Sequence, residues 1–340
     1  MSASNKAAVI KEAKAQITVE QRPIPTPQAG EILVENSALA TNPVDWKIQG
    51  YGFFVTKYPN VLGSDVAGTV EAVGSGVQHF KKGDRVTGFA GVIKTNNIDD
   101  GAFQQYCLLR EHCAAKLPQG MSFEEGATLP MSVATAGVGI WTKLNVPRLD
   151  QGKQSGGFLV WGASSSVGAC VVQIAAQLGY TVFAVCSPHN QEDVKKLGAD
   201  NVFDYKDKDV VKSIIDRAES GRTPIKYAYD AISEHGSAPL CVEVLEGFGG
   251  GKLCLTLPYP QDAKKPDTVE IVNTRAFAIV EDAKDFGAWL FNEWLEGVLA
   301  NGSYKIYPAI QKMDGGIEGV QNALNVHKRG VSGKKLVLPL

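Results

Sequence analysis

The stretch "GGFLVWGASSSVGACVVQIAAQLGYTVFAVCSPHN", residues 156–190, decides how the chain is read. "GFLVWGA" is a continuous apolar run, the pattern of a strand buried on both faces. Val167, Val171, Ile174, Ala175 and Leu178 then recur at helical spacing, and "YTVFAVCS" is a second apolar run. Between strand and helix stand the small residues Gly162, Ala163, Ser164, Ser165 and Ser166, with Val167 and Gly168 behind them. A helix N-terminus after a parallel strand offers unpaired N–H groups and the positive end of the helix dipole, so it holds anions. Small side chains let a pyrophosphate approach the backbone, and Gly168 allows close packing of helix on strand, without the G-x-G-x-x-G spelling. Residues 162–167 are therefore candidate cofactor contacts.

Outward from this turn the alternation continues through "QEDVKKLGA", "NVFDY", "DVVKSIIDRAES", "IKYAYDAI", "APLCVEVLEGF" and "GGKLCLTLP". Five apolar strands separated by helical patterns predict an α/β, doubly wound parallel sheet covered on both faces. Upstream, "GEILVENSALA", "DVAGTVEAVGSG", "DRVTGFA" and "GAFQQYCLL" are short β-rich segments between turns, which predict an antiparallel, partly barrel-like domain. Downstream, a helix with Trp289, Leu290 and Trp294, another near Gly316–His327 and the strand "KKLVLPL" are expected to return to that first domain. The 340 residues fit two domains, expected as 1–130 with 280–340, and 131–279.

Bulk composition excludes several classes. Apolar residues make up 44% and charged residues 21%, a globular balance. A net charge of -2 gives no reason to expect nucleic acid or an anionic membrane as partner. Charges interrupt every apolar run of "MSASNKAAVIKEAKAQ", so no signal peptide is expected, and no run of about 18 apolar residues offers a membrane span. The six scattered cysteines lie in core-like runs, which fits free thiols in a reducing compartment; a cytoplasmic location is expected.

The end of the second strand selects between cofactors. An NAD site usually carries Asp or Glu there to accept from the ribose 2′-hydroxyl. Here Ser187 occupies the place, in "VCSPHN". A serine hydroxyl can donate to a 2′-phosphate that a carboxylate would repel. Tyr205, ending "NVFDY", offers a second hydroxyl, and His189, Asn190 and Lys195 stand in for a missing arginine. NADPH is the expected cofactor; the competing reading is that Ser187-Pro188 only turns the chain.

With "NPVDWK" (42–47), "LGSDVAGTVEAVGSGV" (62–77), "KKGDRV" (81–86), "GAFQQY" (101–106), "GASSSVG", "LGADNVFDY" and the closing "GKKLVL", the whole chain resembles a medium-chain dehydrogenase/reductase. Within that superfamily it is similar to the zinc-free quinone-oxidoreductase and enoyl-reductase branch, and "NPVDWK" and "CSPHN" look closest to fungal stand-alone enoyl reductases that serve polyketide synthases. The resemblance implies a GroES-like β-rich catalytic domain, a Rossmann domain, and a cleft between them for NADPH. In zinc-dependent relatives the first catalytic ligand would fall at Asn42 and the histidine of the "GHE"-like motif at Ser64; the lobe region "FAGVIKTNNIDDGAF" has no cysteine. Zinc needs thiolates or imidazoles at tight spacing, and the local group Cys107, His112 and Cys113 is read as core or turn.

Without a metal, hydride transfer to the β-carbon of an enone, enoyl thioester or quinone is favoured over carbonyl reduction. The charge then spreads into an enolate that ordinary donors can stabilise. The resemblance offers Lys47 for the acyl carbonyl, against a solvated surface lysine. It offers Tyr51 near a catalytic tyrosine's place, with spacing differing by a residue. Thr135 would contact cofactor and substrate, or cap a helix; Asn42 would orient nicotinamide or substrate amides. The expected partners are a small-molecule substrate and a polyketide synthase carrier domain, with the chain a monomer or homodimer. A zinc-free aldehyde or ketone reductase and a non-catalytic NADPH sensor are the alternatives.

Overall fold

The computed structural model describes residues 4–340, which divide into two compact units, 4–134 with 277–340 and 135–276. The first unit opens with strands β1 (Asn5–Ile10), β2 (Ile17–Arg22) and β3 (Glu31–Ala40), then helix α1 (Pro43–Tyr51). Strands β4 (Asn60–Val61), β5 (Asp65–Val73), β6 (Arg85–Phe89), β7 (Tyr106–Arg110) and β8 (Ala114–Lys116) follow. The second unit carries β9 (Gly157–Trp161), β10 (Thr181–Val185), β11 (Asn201–Phe203), β12 (Ile225–Asp230), β13 (Gly251–Leu255) and β14 (Val269–Asn273). The chain then returns to the first unit with β15 (Ala309–Lys312), the helix Val320–Lys328 and β16 (Lys334–Pro339).

In the first unit, ten-residue β3 is the hub: it pairs antiparallel with β5, β7 and β16. Its inward residues Ile32, Val34 and Leu39 bury against Val66, Val70, Leu336 and Leu338 in one apolar cluster. The register matters for chemistry. Ala40 stands opposite both Asp65 of β5 and Val337 of β16, so the end of β3 gathers residues from three distant parts of the chain. Strands β1 and β2, absent from the expected set, form a separate small sheet with β4.

In the second unit the strand order is β11-β10-β9-β12-β13-β14, all parallel. Every residue of β9 is buried, as its unbroken apolar text requires. The order reverses beside β9, and ligands of such sheets bind at the carboxyl ends of strands at that switch point. The sheet has six strands where five were expected. The sixth, β14, reads "VEIVN"; as an edge strand it exposes Glu270 and Asn273, so it lacks the continuous apolar run of the others. The result is a GroES-like β domain joined to a Rossmann-type parallel sheet. Among the described residues no helix is long and apolar enough to cross a membrane.

Candidate active site

The turn after β9 is shaped by two glycines. Gly162 has φ +72° and any Cβ there would fall on the Ile232 side chain; a Cβ on Gly168 would fall on the Gly162 carbonyl oxygen. Both are steric requirements for running a helix start this close to a strand end. Ser165 is the N-cap of the helix Ser166–Leu178 and its Oγ accepts from the Gly168 N–H at 3.0 Å. The Gly162 and Ala163 amides both donate to the Val185 carbonyl, and Ser165 N–H donates to the Gly162 carbonyl. The expectation that the whole turn offers its amides is therefore narrowed. Ser166 and Val167, in the first helical turn, retain N–H groups that the helix itself cannot pair, and Ser164 sits half-buried between them and the strand.

The same bonds bring the end of β10 beside this turn. Val185 lies opposite Phe203, so Ser187 and Tyr205 each stand two residues past the last paired position of neighbouring parallel strands. Ser187 is half-buried, while Tyr205 is 45% exposed. Residues Pro188–Asn190 make one 3₁₀ turn closed by Asn190 N–H to the Ser187 carbonyl. Its members diverge: His189 is exposed, whereas Asn190 is only 7% exposed and its Nδ2 has no partner in the protein. A buried amide donor without an acceptor is costly and fits a place where a ligand oxygen completes the bond. Lys195 points elsewhere, paired with Glu192 at 2.8 Å on the helix surface. The cation that sequence reading passed over is Lys206, whose ammonium lies 5.8 Å from the centre of the Tyr205 ring. Its adjacency to Tyr205 was the available signal.

The first unit holds a second polar assembly at the end of β3. Asn42, Asp65 and Lys335 are all buried, the lysine to 3% exposure. Lys335 Nζ donates to Asn42 Oδ1 at 2.6 Å and Asp65 Oδ2 at 2.8 Å. Asn42 Nδ2 donates to the same Asp65 oxygen at 2.8 Å, and the Met131 N–H donates to Asp65 Oδ1 at 2.6 Å. Both ends of the Asn42 amide are thus engaged within the protein. Within the protein Asn42 holds Lys335 and Asp65. Asp45, one turn into α1, accepts the Asn42 N–H at 2.7 Å; burial, with Asp65 adding repulsion, pushes its carboxyl up to about 7. His327 meets Thr41 Oγ1 at 3.0 Å through Nδ1 and is pushed down to about 4 by burial and by Lys335, so it is neutral at pH 7. Lys335 and Asp65 are separated by 270 residues and carry no spacing signal.

Helix α1 is N-capped by Asn42 and carries Lys47 and Tyr51, four residues apart and hence on one face. Lys47 is half-buried, its ammonium 5.7 Å from the Trp46 ring centre; Tyr51 is exposed. Thr135 belongs to the helix Pro130–Gly137 and is nearly buried. Its carbonyl accepts from Tyr229 Oη and Thr274 Oγ1, both at 2.8 Å.

The residues present do not fit a catalytic zinc. Its ligand places hold Asn42 and Ser64, and a divalent ion beside them would face the buried Lys335 ammonium. Burial pushes the Cys107 thiol up to about 12 and the Cys113 thiol higher still; His112 Nε2 lies 3.1 Å from the Val280 carbonyl. Among the described residues no three His, Cys, Asp or Glu side chains are grouped to hold a metal ion.

Comparison with known proteins agrees with this architecture. Residues 28–119 match the alcohol dehydrogenase GroES-like domain family, and 166–254 match the family described as zinc-binding dehydrogenase. The dehydrogenase pigH of Monascus ruber is 37% identical, over 95% of this chain and 96% of that protein. The trans-enoyl reductase tndF of Aspergillus flavipes is 36% identical, over 100% of each. An alcohol dehydrogenase superfamily protein from Novosphingobium aromaticivorans shares the fold, with a TM-score of 0.80 at 22% identity over 99% of both chains. The chain belongs to the medium-chain dehydrogenase/reductase family, on its enoyl reductase-like side, and is an oxidoreductase of that nicotinamide-dependent family.

Proposed function

We propose that the enzyme is a zinc-independent, NADPH-dependent reductase of activated C=C bonds, in an enoyl thioester, an enone or enal, or a quinone. The observation that carries this reading is the Asn42–Asp65–Lys335 assembly, which puts a buried ammonium and a carboxylate beside Asn42, where the resemblance implies the first zinc ligand of zinc-dependent relatives. Such a site offers no Lewis acid to a localised alkoxide, whereas hydrogen-bond donors suffice for a delocalised enolate, which favours C=C over carbonyl reduction. Its relationship to trans-enoyl reductases such as tndF supports the same reading. It sets aside a non-catalytic NADPH sensor, since the family is enzymatic.

When bound, NADPH supplies the hydride. The Ser166 and Val167 amides at the helix start would hold its pyrophosphate, with Gly162 and Gly168 allowing the approach. Ser187, Tyr205 and Asn190 Nδ2 are the donors that would hold the 2′-phosphate, with Lys206 as the nearby positive charge. In the first unit, the Lys47 ammonium donates to the substrate carbonyl oxygen, where charge accumulates as the C=C electrons move toward it. Tyr51 follows on the same face, and the buried assembly at Asn42 fixes where α1 begins. For stand-alone action, the substrate would be an acyl thioester delivered on a polyketide synthase carrier domain.

The test is NADPH consumption on a panel of enals, enoyl thioesters and quinones, with product identification. A saturated aldehyde from an enal supports the proposal. An allylic alcohol would replace it with carbonyl reduction.

A further inference from the structure

Beyond α1 the first unit exposes an aromatic ledge whose outer rings, Phe53 and Phe54, neither the core nor the reductase reading has used. Trp46 and Phe277 pack on the apolar core, and between them Tyr51, Phe53 and Phe54 stand 62%, 36% and 44% exposed. The five rings form a continuous series: Trp46–Tyr51 at 5.9 Å, Tyr51–Phe53 at 6.3 Å, Phe53–Phe54 at 4.7 Å and Phe54–Phe277 at 5.5 Å between centroids. The loop is held in place at conformational cost. Phe54 has φ +65°, a left-handed conformation that is a genuine outlier for a bulky residue. Asn96 clamps it, donating from Nδ2 to the Phe54 carbonyl at 3.2 Å and accepting the Thr56 N–H at 2.6 Å. Strain maintained by surrounding bonds, ending in an outward aromatic surface, points to a ligand rather than to packing.

We propose that this ledge carries the distal hydrocarbon part of the acyl substrate, with Phe53 and Phe54 setting the preferred chain length. The proposal rests on the reading of Lys47 as the carbonyl's partner. Lys47 and Tyr51 share one face of α1, so a chain whose carbonyl meets the Lys47 ammonium runs onto the ledge at Tyr51. The polar head and the apolar tail of an acyl thioester match, in that order, the cation and the aromatic series. A flat, unsaturated or extended chain gains contact on such rings without needing an enclosed pocket.

The test compares wild type with the double variant Phe53→Ser/Phe54→Gly; glycine accepts φ +65°, so the loop is not forced to rearrange. Butanoyl- and decanoyl-pantetheine, saturated products that need no turnover, are titrated by calorimetry. Wild type should bind the ten-carbon thioester about tenfold or more tightly than the four-carbon one, as added methylenes leave water. The double variant should reduce that preference to about threefold or less. No preference in wild type, or an undiminished one in the variant, overturns the proposal. So does sedimentation showing a wild-type dimer that the variant dissociates while chain-length preference persists, since a second copy would then cover the ledge. Turnover of the corresponding 2-enoyl thioesters separates the two readings. A chain-length preference in binding without reduction of either thioester, or of any enal or quinone on the panel, leaves the ledge standing and refutes the reductase.

Discussion

Replacing Lys335 by Met removes a buried ammonium from two close acceptors, Asn42 Oδ1 at 2.6 Å and Asp65 Oδ2 at 2.8 Å. Asp65 has 0% exposure, so the substitution leaves a carboxylate with the Asn42 amide and the Met131 N–H as its remaining donors. Breaking a buried pair by removing one partner costs about 3–5 kcal/mol, because the survivor keeps its desolvation penalty. Asp65→Asn should cost a similar amount, by stranding Lys335. The double variant Asp65→Asn/Lys335→Met should behave differently. The amide oxygen introduced by Asp65→Asn can still accept the Met131 N–H, and its NH₂ can donate to Asn42 Oδ1, freed of Lys335. With no charge left and most polar atoms paired, the double change should cost about 2 kcal/mol or less. The coupling is then about 4 kcal/mol or more, well beyond additivity. Urea unfolding followed by tryptophan fluorescence reads this, since Trp46 packs beside the core of the same unit. Single variants within about 1 kcal/mol of wild type, or a double variant equal to the sum of the singles, would refute the reasoning.

Ser187→Asp places a carboxylate against the 2′-phosphate and restores a ribose acceptor; NADPH should weaken by about 1–3 kcal/mol while NADH holds or improves, and equal weakening of both would reject the assignment. Lys47→Ala should lower kcat with NADPH affinity nearly constant, which steady-state kinetics and cofactor titration check together. Asp45 has a folded pKa of about 7 against an ordinary 3.8, so its protonated form favours the fold; that contribution is full below pH 3.8 and is lost as pH rises through 7. Asp45→Asn should therefore stabilise the protein more at pH 8 than at pH 5, by on the order of 3 kcal/mol, read from unfolding at the two pH values. Purified enzyme should carry no stoichiometric zinc and keep its activity in chelator; about one tightly held zinc per chain would revive carbonyl reduction.

What the amino-acid text determined by itself was local and periodic. Apolar runs such as "GFLVWGA", alternating with helical patterns, read as strands buried on both faces, and the close turn between strand and helix needs residues as small as Gly162 and Gly168. Those features depend on neighbours a few residues away, so the parallel sheet, its first turn and the Ser187 bend were legible. The edge strand "VEIVN" was not, because half of it faces water and its period is broken. The tertiary structure alone decided which polar groups meet. Lys335 reaches Asn42 and Asp65 only because β16 and β5 both pair with β3 in one register, a relation between residues 270 apart that no spacing encodes. It likewise decided which members of each motif are already engaged. Ser165 is taken up as a cap, Asn42 by the buried pair, and Asn190 is left with a donor to offer. Residue type determines what a side chain can bond; only packing determines what remains for it to bond.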